Sequence, residues 1–207
     1  LQELFITAFV TLLVVIDPIG VAAIFAALTH RETDRYRVRT AIKGTTIAGA
    51  VLLLFTLIGD PLLAMLGISL SAFRIAGGVL LFLLSIDMVL ARDSGLRSTT
   101  LRETEEAATR EDISVFPLAI PLIGGPGAIT SMLLLTGQTR GEAGAVVVVI
   151  GVMVLVLALT LGALLMASRI MRVIGVTGAG VVSRVLGILL AALAVQFMID
   201  GLRASLV

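Results

Sequence analysis

Two short runs of Pro and Gly interrupt long apolar stretches: Asp17-Pro18-Ile19-Gly20 and Gly124-Gly125-Pro126-Gly127. A proline inside a helix deletes a backbone hydrogen bond and clashes with the preceding turn, and neighbouring glycines ease unwinding. Each run predicts a helix that stops and restarts. The restarted helices would present the amides of Ile19 to Ala22 and of Gly127 to Thr130 at the positive end of a helix dipole, which suits a carboxylate. The stopped halves would expose carbonyls from Leu13 to Ile16 and from Ile120 to Ile123, which suit an ammonium group or a small cation. Gly124, Gly125 and Gly127 leave room for close approach of a small solute, and Thr130 and Ser131 could add hydroxyl contacts unless they bond their own helix. The simpler alternative is a pair of proline kinks whose freed backbone groups are satisfied by neighbouring helices.

Asp17 is the sharpest single residue. A carboxylate near the centre of a bilayer costs about 2.5–3.5 kcal/mol even on the mildest insertion scale, so by default it reads as functional. It could pair with a substrate ammonium or take up a coupling proton; it could also simply cap the helix that restarts at Pro18. Arg74 and Arg184 each lie in the first turn or so of an apolar stretch, where the helix dipole disfavours a cation. Asp200 and Asp87 fall at matching depths if the third and sixth stretches run antiparallel. Two ion pairs, Arg74 with Asp200 and Arg184 with Asp87, would then close the two mouths of a pathway in alternation. The competing reading is snorkelling of each Arg to the headgroups.

The elements that must position these residues follow from composition. Of 207 residues, 58% are hydrophobic and 14% charged, against roughly 45–50% and about 25% in soluble domains. The mean hydropathy of +1.15 excludes an ordinary soluble domain. Six stretches are long enough to cross a hydrocarbon core, which takes about 20 residues: Leu4 to Thr29, Ala41 to Gly59, Ser71 to Leu90, Ile113 to Thr136, Ala143 to Ser168 and Val181 to Leu202. The first, third and fifth connections carry eleven Lys and Arg, whereas the opposite side carries Arg140 and Arg203. The positive-inside rule therefore puts both termini on the outer, periplasmic side of the plasma (inner) membrane. The charged stretch 91–112 reads as a cytoplasmic linker between two three-helix units, 1–90 and 113–207. The apolar start, with no basic n-region before it, argues against a cleaved signal peptide.

The two units look alike. Arg74, Gly77, Leu80 and Leu83 in the third stretch match Arg184, Gly187, Leu190 and Leu193 in the sixth, and Pro18 matches Pro126 at nearly the same offset. With three spans each, the units must face opposite ways. The expected fold is thus all-α: six transmembrane helices in two inverted three-helix repeats, with the first and fourth helices broken. Secondary transporters often have this form, with the site between broken helices at the bilayer midplane.

The Asp17-Pro18-Ile19-Gly20 break, the Arg74-Ile-Ala-Gly77-Gly run with Asp87-Met88, the Pro121-to-Thr130 segment and the ending from Ala194 through Gln196 to Asp200-Gly201 together resemble the MarC family. The resemblance covers essentially the whole chain. It implies six spans and transport of glycine, alanine or similar small neutral amino acids, driven by an ion gradient, with H+ or Na+ as the coupling ion. An exporter of amino acids or other small metabolites is the nearest rival, because sequence does not give direction. A membrane-embedded enzyme would need a second acid, a base or a metal set near Asp17, and none is present at that depth. An assembly protein would leave the paired breaks and the buried Asp unexplained, and a channel fits closing charge pairs less well. No cofactor or resident metal is expected: the chain has no Cys and one His, His30. A net charge of +1 and no Trp speak against nucleic acid. Gly77, Gly78 and Gly187 could serve the contact between the halves or the interface of a homo-oligomer.

Overall fold

Three helices of this chain start where a short polar side chain, of Asp17, Thr33 or Ser69, accepts an early amide. The computed structural model describes residues 1–91, 112–139 and 142–206, and all of its regular elements are helical. They are α1 (Gln2–Ile16), α2 (Pro18–Leu28), α3 (Asp34–Met65), α4 (Leu70–Leu90), α5 (Ser114–Ile123), α6 (Pro126–Gly137), α7 (Ala143–Leu165) and α8 (Ala167–Ser205). The charged linker expected over 91–112 lies, from 92 to 111, outside the described residues, as does Arg140.

Thr33 accepts the Tyr36 amide and Ser69 accepts the Ala72 amide, so α3 starts at Asp34, seven residues ahead of its apolar stretch, and α4 starts at Leu70. Hydropathy marks what the bilayer needs; the cap marks where the helix begins. The last helix shows the same effect. It begins at Ala167 and turns at Gly175, whose φ of 66° is open to glycine at no steric cost. A short helix over 167–174 therefore precedes the long one.

Five elements are long and apolar enough to cross a membrane, with α1 and α2 counted as one; α5 and α6, bent by 51° at their junction, make a sixth if taken together. The α1–α2 element is 61% buried against 28–39% for the other four, which places it at the centre of the bundle. It packs on α6, α7 and α8, while α3 and α5 pack together on one flank and α4 pairs most extensively with α8.

The α4–α8 pairing is made by small residues. A Cβ on Gly78 would lie 2.8 Å from the Ala194 carbonyl, one on Gly187 would lie 3.2 Å from the Ser85 carbonyl, and one on Gly201 would lie 2.9 Å from the Ser71 carbonyl. Ser71, Gly78 and Ser85 recur at intervals of seven, and so do Gly187, Ala194 and Gly201. The two helices are thus antiparallel with one small residue opposite another every second turn, and the backbones close to contact, as membrane helices do where Gly and Ser line the seam. Gly77, one position before Gly78, faces α6: a Cβ there would lie 2.5 Å from the Thr130 methyl. All three glycines that could have served a subunit interface are occupied within the chain.

Two outcomes follow. Gly78→Leu or Gly187→Leu overpacks the seam and should cost about 1–3 kcal/mol, read as a fall of several degrees in the apparent Tm in detergent, whereas Gly151→Leu, which meets nothing within 4 Å, should leave it unchanged. At the end of the linker, the Lys43 ammonium first and then Ser114, whose amide donates at 2.9 Å, hold the Asp112 carboxyl down from 3.8 to about 2. A depressed carboxyl contributes stability above its unfolded value and loses it as pH falls through its folded one. The Tm difference between the native chain and Lys43→Met should therefore hold at neutral pH and vanish as pH drops from 3.8 through about 2.

Candidate functional site

The first interruption is a single residue. α1 ends at Ile16, α2 begins at Pro18, and Asp17 between them adopts φ 47°, ψ 74°. This left-handed conformation is one that Asp and Asn tolerate better than other side chains. Its carboxylate is fully buried. Oδ1 accepts the Gly20 amide at 3.0 Å, and Oδ2 accepts the Ser183 hydroxyl at 2.5 Å. The first bond caps α2; the second ties α2 to α8 across 166 residues of sequence. Gly20 makes both possible, because a Cβ there would collide with Asp17 Oδ2 and lie 2.8 Å from Ser183 Oγ.

This geometry narrows what the first interruption can bind. The Gly20 amide is taken by Asp17 Oδ1, the Val21 amide by the Asp17 carbonyl at 3.0 Å, and the Leu13 carbonyl accepts the Asp17 amide at 3.0 Å. The chain therefore fills most of the anion site expected at Ile19 to Ala22, along with one of the carbonyls expected to be open.

The second interruption is built differently. Pro117 and Pro121 push the residues before them, Phe116 and Ile120, into extended conformations, as a proline ring does to its predecessor; both peptide bonds are cis. α5 is consequently an irregular helix, where a regular half-span was expected, and the signal was the repeated proline at an interval of four. After Gly124 and Gly125 the chain restarts at Pro126 with no side chain capping α6. The Ile129 amide reaches the Gly125 carbonyl at 3.0 Å, so the amides of Gly127 and Ala128 fall in the first turn, where a helix has no backbone acceptor of its own to offer. They border a cavity of about 10 Å³ lined by Val15, Leu84, Pro121, Gly125, Gly127 and Ala128, room for about one water.

The two interruptions lie side by side. A Cβ on Gly127 would lie 3.2 Å from Val15 Cγ1 and 2.7 Å from Leu84 Cδ2, and Val15 is two residues from Asp17. At the far end of the same seam, Leu4 and Thr7 share a pocket with Gln138 and Thr139. α1 and α6 thus run antiparallel in a register that sets Thr11 level with Ser131. Both residues are fully buried, and neither hydroxyl has a hydrogen-bond partner. Bonding to the preceding turn is the usual outcome for such hydroxyls, as Thr136 makes to Met132 at 2.8 Å. Thr130 instead turns its methyl into the gap at Gly77 and serves packing.

Ser183 and Thr11 are the site residues that sequence reasoning missed. Ser183 stands next to Arg184, but nothing local marks it as the partner of a residue so distant in the chain.

The expected charge pairs are not formed. Gly201 lies against Ser71 and Arg74, so Asp200 and Arg74 do share a depth, as Gly187 and Met88 place Arg184 near the level of Asp87. Rotation about the helix axis decides the rest: with Gly201 on the seam, Asp200 points about 100° away from it and accepts Gln196 Nε2 at 2.8 Å. Arg74 Nε is buried with no partner, and Arg184 is exposed. Among the described residues the ion pairs are Arg37 with Asp34 and Lys43 with Asp112.

Comparison with known proteins also points to an integral membrane protein. The chain is similar to a UPF0056 membrane protein of Archaeoglobus fulgidus, 39% identical over 203 residues covering 98% of this chain and 94% of that one. It is also similar to UPF0056 membrane protein MJ1677 of Methanocaldococcus jannaschii, at 36% over 99% and 98%, and to UPF0056 membrane protein YhcE of Escherichia coli, at 33% over 94% and 90%. No solved structure matches it significantly. The profile of the MarC family of integral membrane proteins matches residues 2–206, nearly the entire length, and the chain belongs to that family.

Proposed function

We propose that this protein is a secondary carrier of small neutral amino acids such as glycine and alanine, working by alternating access in the plasma membrane and driven by a proton or sodium gradient. One observation carries the reading: unfilled hydrogen-bonding capacity is buried where α1 ends and α6 begins. The amides of Gly127 and Ala128 stand at a helix start that no side chain caps, and the hydroxyls of Thr11 and Ser131 close by lack partners. Polar groups in hydrocarbon cost several kcal/mol unless something satisfies them, and a small zwitterion would do so. Its carboxylate fits the uncapped start of α6, where the helix dipole adds to the amides.

Asp17 supplies the opposite charge. Its bond to Ser183 joins an element of the first unit to one of the second, so a substrate ammonium or a coupling proton that competes for Oδ2 would loosen the contact between the units. The first and fourth crossings then act as broken helices of an inverted repeat, and the cavity of about 10 Å³ corresponds to a closed state that must widen to admit even glycine. On this reading the protein is a transporter and not an enzyme, with no cofactor beyond the coupling ion.

Uptake of labelled glycine and alanine into proteoliposomes, with proton and sodium gradients imposed separately, tests the proposal. Saturable uptake under one gradient is expected, and its absence under both would overturn the reading. Asp17→Asn should abolish gradient-driven accumulation. Ser183→Ala removes a hydrogen bond to a carboxylate, a contribution of about 1.5–3 kcal/mol, and should lower uptake about tenfold or more while the protein stays folded.

A further inference from the structure

A second feature, independent of the transport reading, lies at the opposite end of α2. The turn from α2 into α3 and the turn from α7 into α8 come together around a cavity of about 720 Å³, within the usual range for bound ligands. Phe25, Val38 and Leu164 form its apolar wall, and Arg37, Arg169 and Arg172 its basic rim. The guanidinium of Arg37 is already engaged. Its Nε and Nη2 donate to the Thr29 carbonyl at 2.9 and 2.7 Å, and its Nη1 donates to Ser168 Oγ at 2.9 Å. It closes the end of α2 and ties that end to α8. Arg169 and Arg172 are different: both are exposed, one turn apart on the short helix 167–174, and among the described residues neither makes an ion pair or side-chain hydrogen bond. Among the described residues the one acidic side chain in the lining is Asp34, which Arg37 Nη1 approaches at 3.7 Å.

The position of this cavity identifies its ligand. It sits where apolar helices end, and the short helix that carries the two free arginines also presents Val173, 84% exposed, with Val176, 80% exposed, just beyond the Gly175 turn. Exposed valines beside exposed arginines belong at the boundary between acyl chains and headgroups. We infer that the cavity is a binding site for one anionic phospholipid, with its phosphate between Arg169 and Arg172 and the start of an acyl chain along Phe25, Val38 and Leu164. Arginine forks match phosphate oxygens geometrically, and basic pockets between membrane helices hold such headgroups. By bridging the two turns, the lipid would reinforce the link that Arg37 makes between α2 and α8.

Native mass spectrometry of the purified protein, titrated with phosphatidylglycerol or phosphatidylcholine, tests the site. One phosphatidylglycerol should be retained per chain at concentrations where phosphatidylcholine is lost. Arg169→Gln with Arg172→Gln should weaken that retention about tenfold or more, while Arg169→Lys with Arg172→Lys should keep most of it and Arg203→Gln, which lies outside this cavity, should have no effect. Equal retention of the two lipids would overturn the inference, as would a double Gln variant that binds like the native chain. Displacement of the lipid by millimolar inorganic phosphate would do so too, since it would show a free-anion site.

Discussion

Everything near the middle of this protein depends on one constraint: a helix interrupted inside hydrocarbon must satisfy its freed backbone groups from within the protein. At the first interruption Asp17 does much of this. Its left-handed backbone turns the chain, its Oδ1 caps the helix that follows, and its Oδ2 draws the Ser183 hydroxyl to it. Other features are consequences. Gly20 must lack a side chain, and α8 must come close enough to bring Ser183 to the break. The small-residue seam between α4 and α8 gives α8 a fixed wall to rest on while it does so.

The two interruptions are unequal, and the inequality carries the functional reading. The first is filled by the chain's own carboxylate. At the second, α6 is uncapped and the hydroxyls of Thr11 and Ser131 beside it are unpartnered. A negative charge at one break and uncapped amides at the other form a complementary pair for a zwitterion. Two breaks of the same chemistry would suit a dianion or a dication better.

Much of this was legible in the sequence, because the bilayer enforces simple rules. Span lengths, the stops at Asp17-Pro18 and Gly125-Pro126, and the matching depths of Arg74 with Asp200 and of Arg184 with Asp87 all follow from length, proline and antiparallel order. What was not legible depends on rotation and on distance along the chain. Depth alone predicted an Arg74–Asp200 pair, but Gly201 occupies the seam and turns Asp200 toward Gln196 instead. The irregular course of α5 was readable from Pro117 and Pro121 through their effect on Phe116 and Ile120. Ser183 was not readable, since its role exists only once two segments 166 residues apart are brought together. Of the charges singled out at the start, Asp17 caps the restarted helix, as one of its two readings expected, and also bonds Ser183, whereas the gating pairs are not formed among the described residues.

The central claim is that the seam between α1 and α6, beside Asp17, must part for solute to pass. The chain contains no cysteine, so a pair introduced as Thr11→Cys with Ser131→Cys can be oxidised without background. The account predicts that the disulfide forms, that it blocks glycine uptake in proteoliposomes, and that a reductant restores uptake. Full uptake by protein shown to be crosslinked would contradict it.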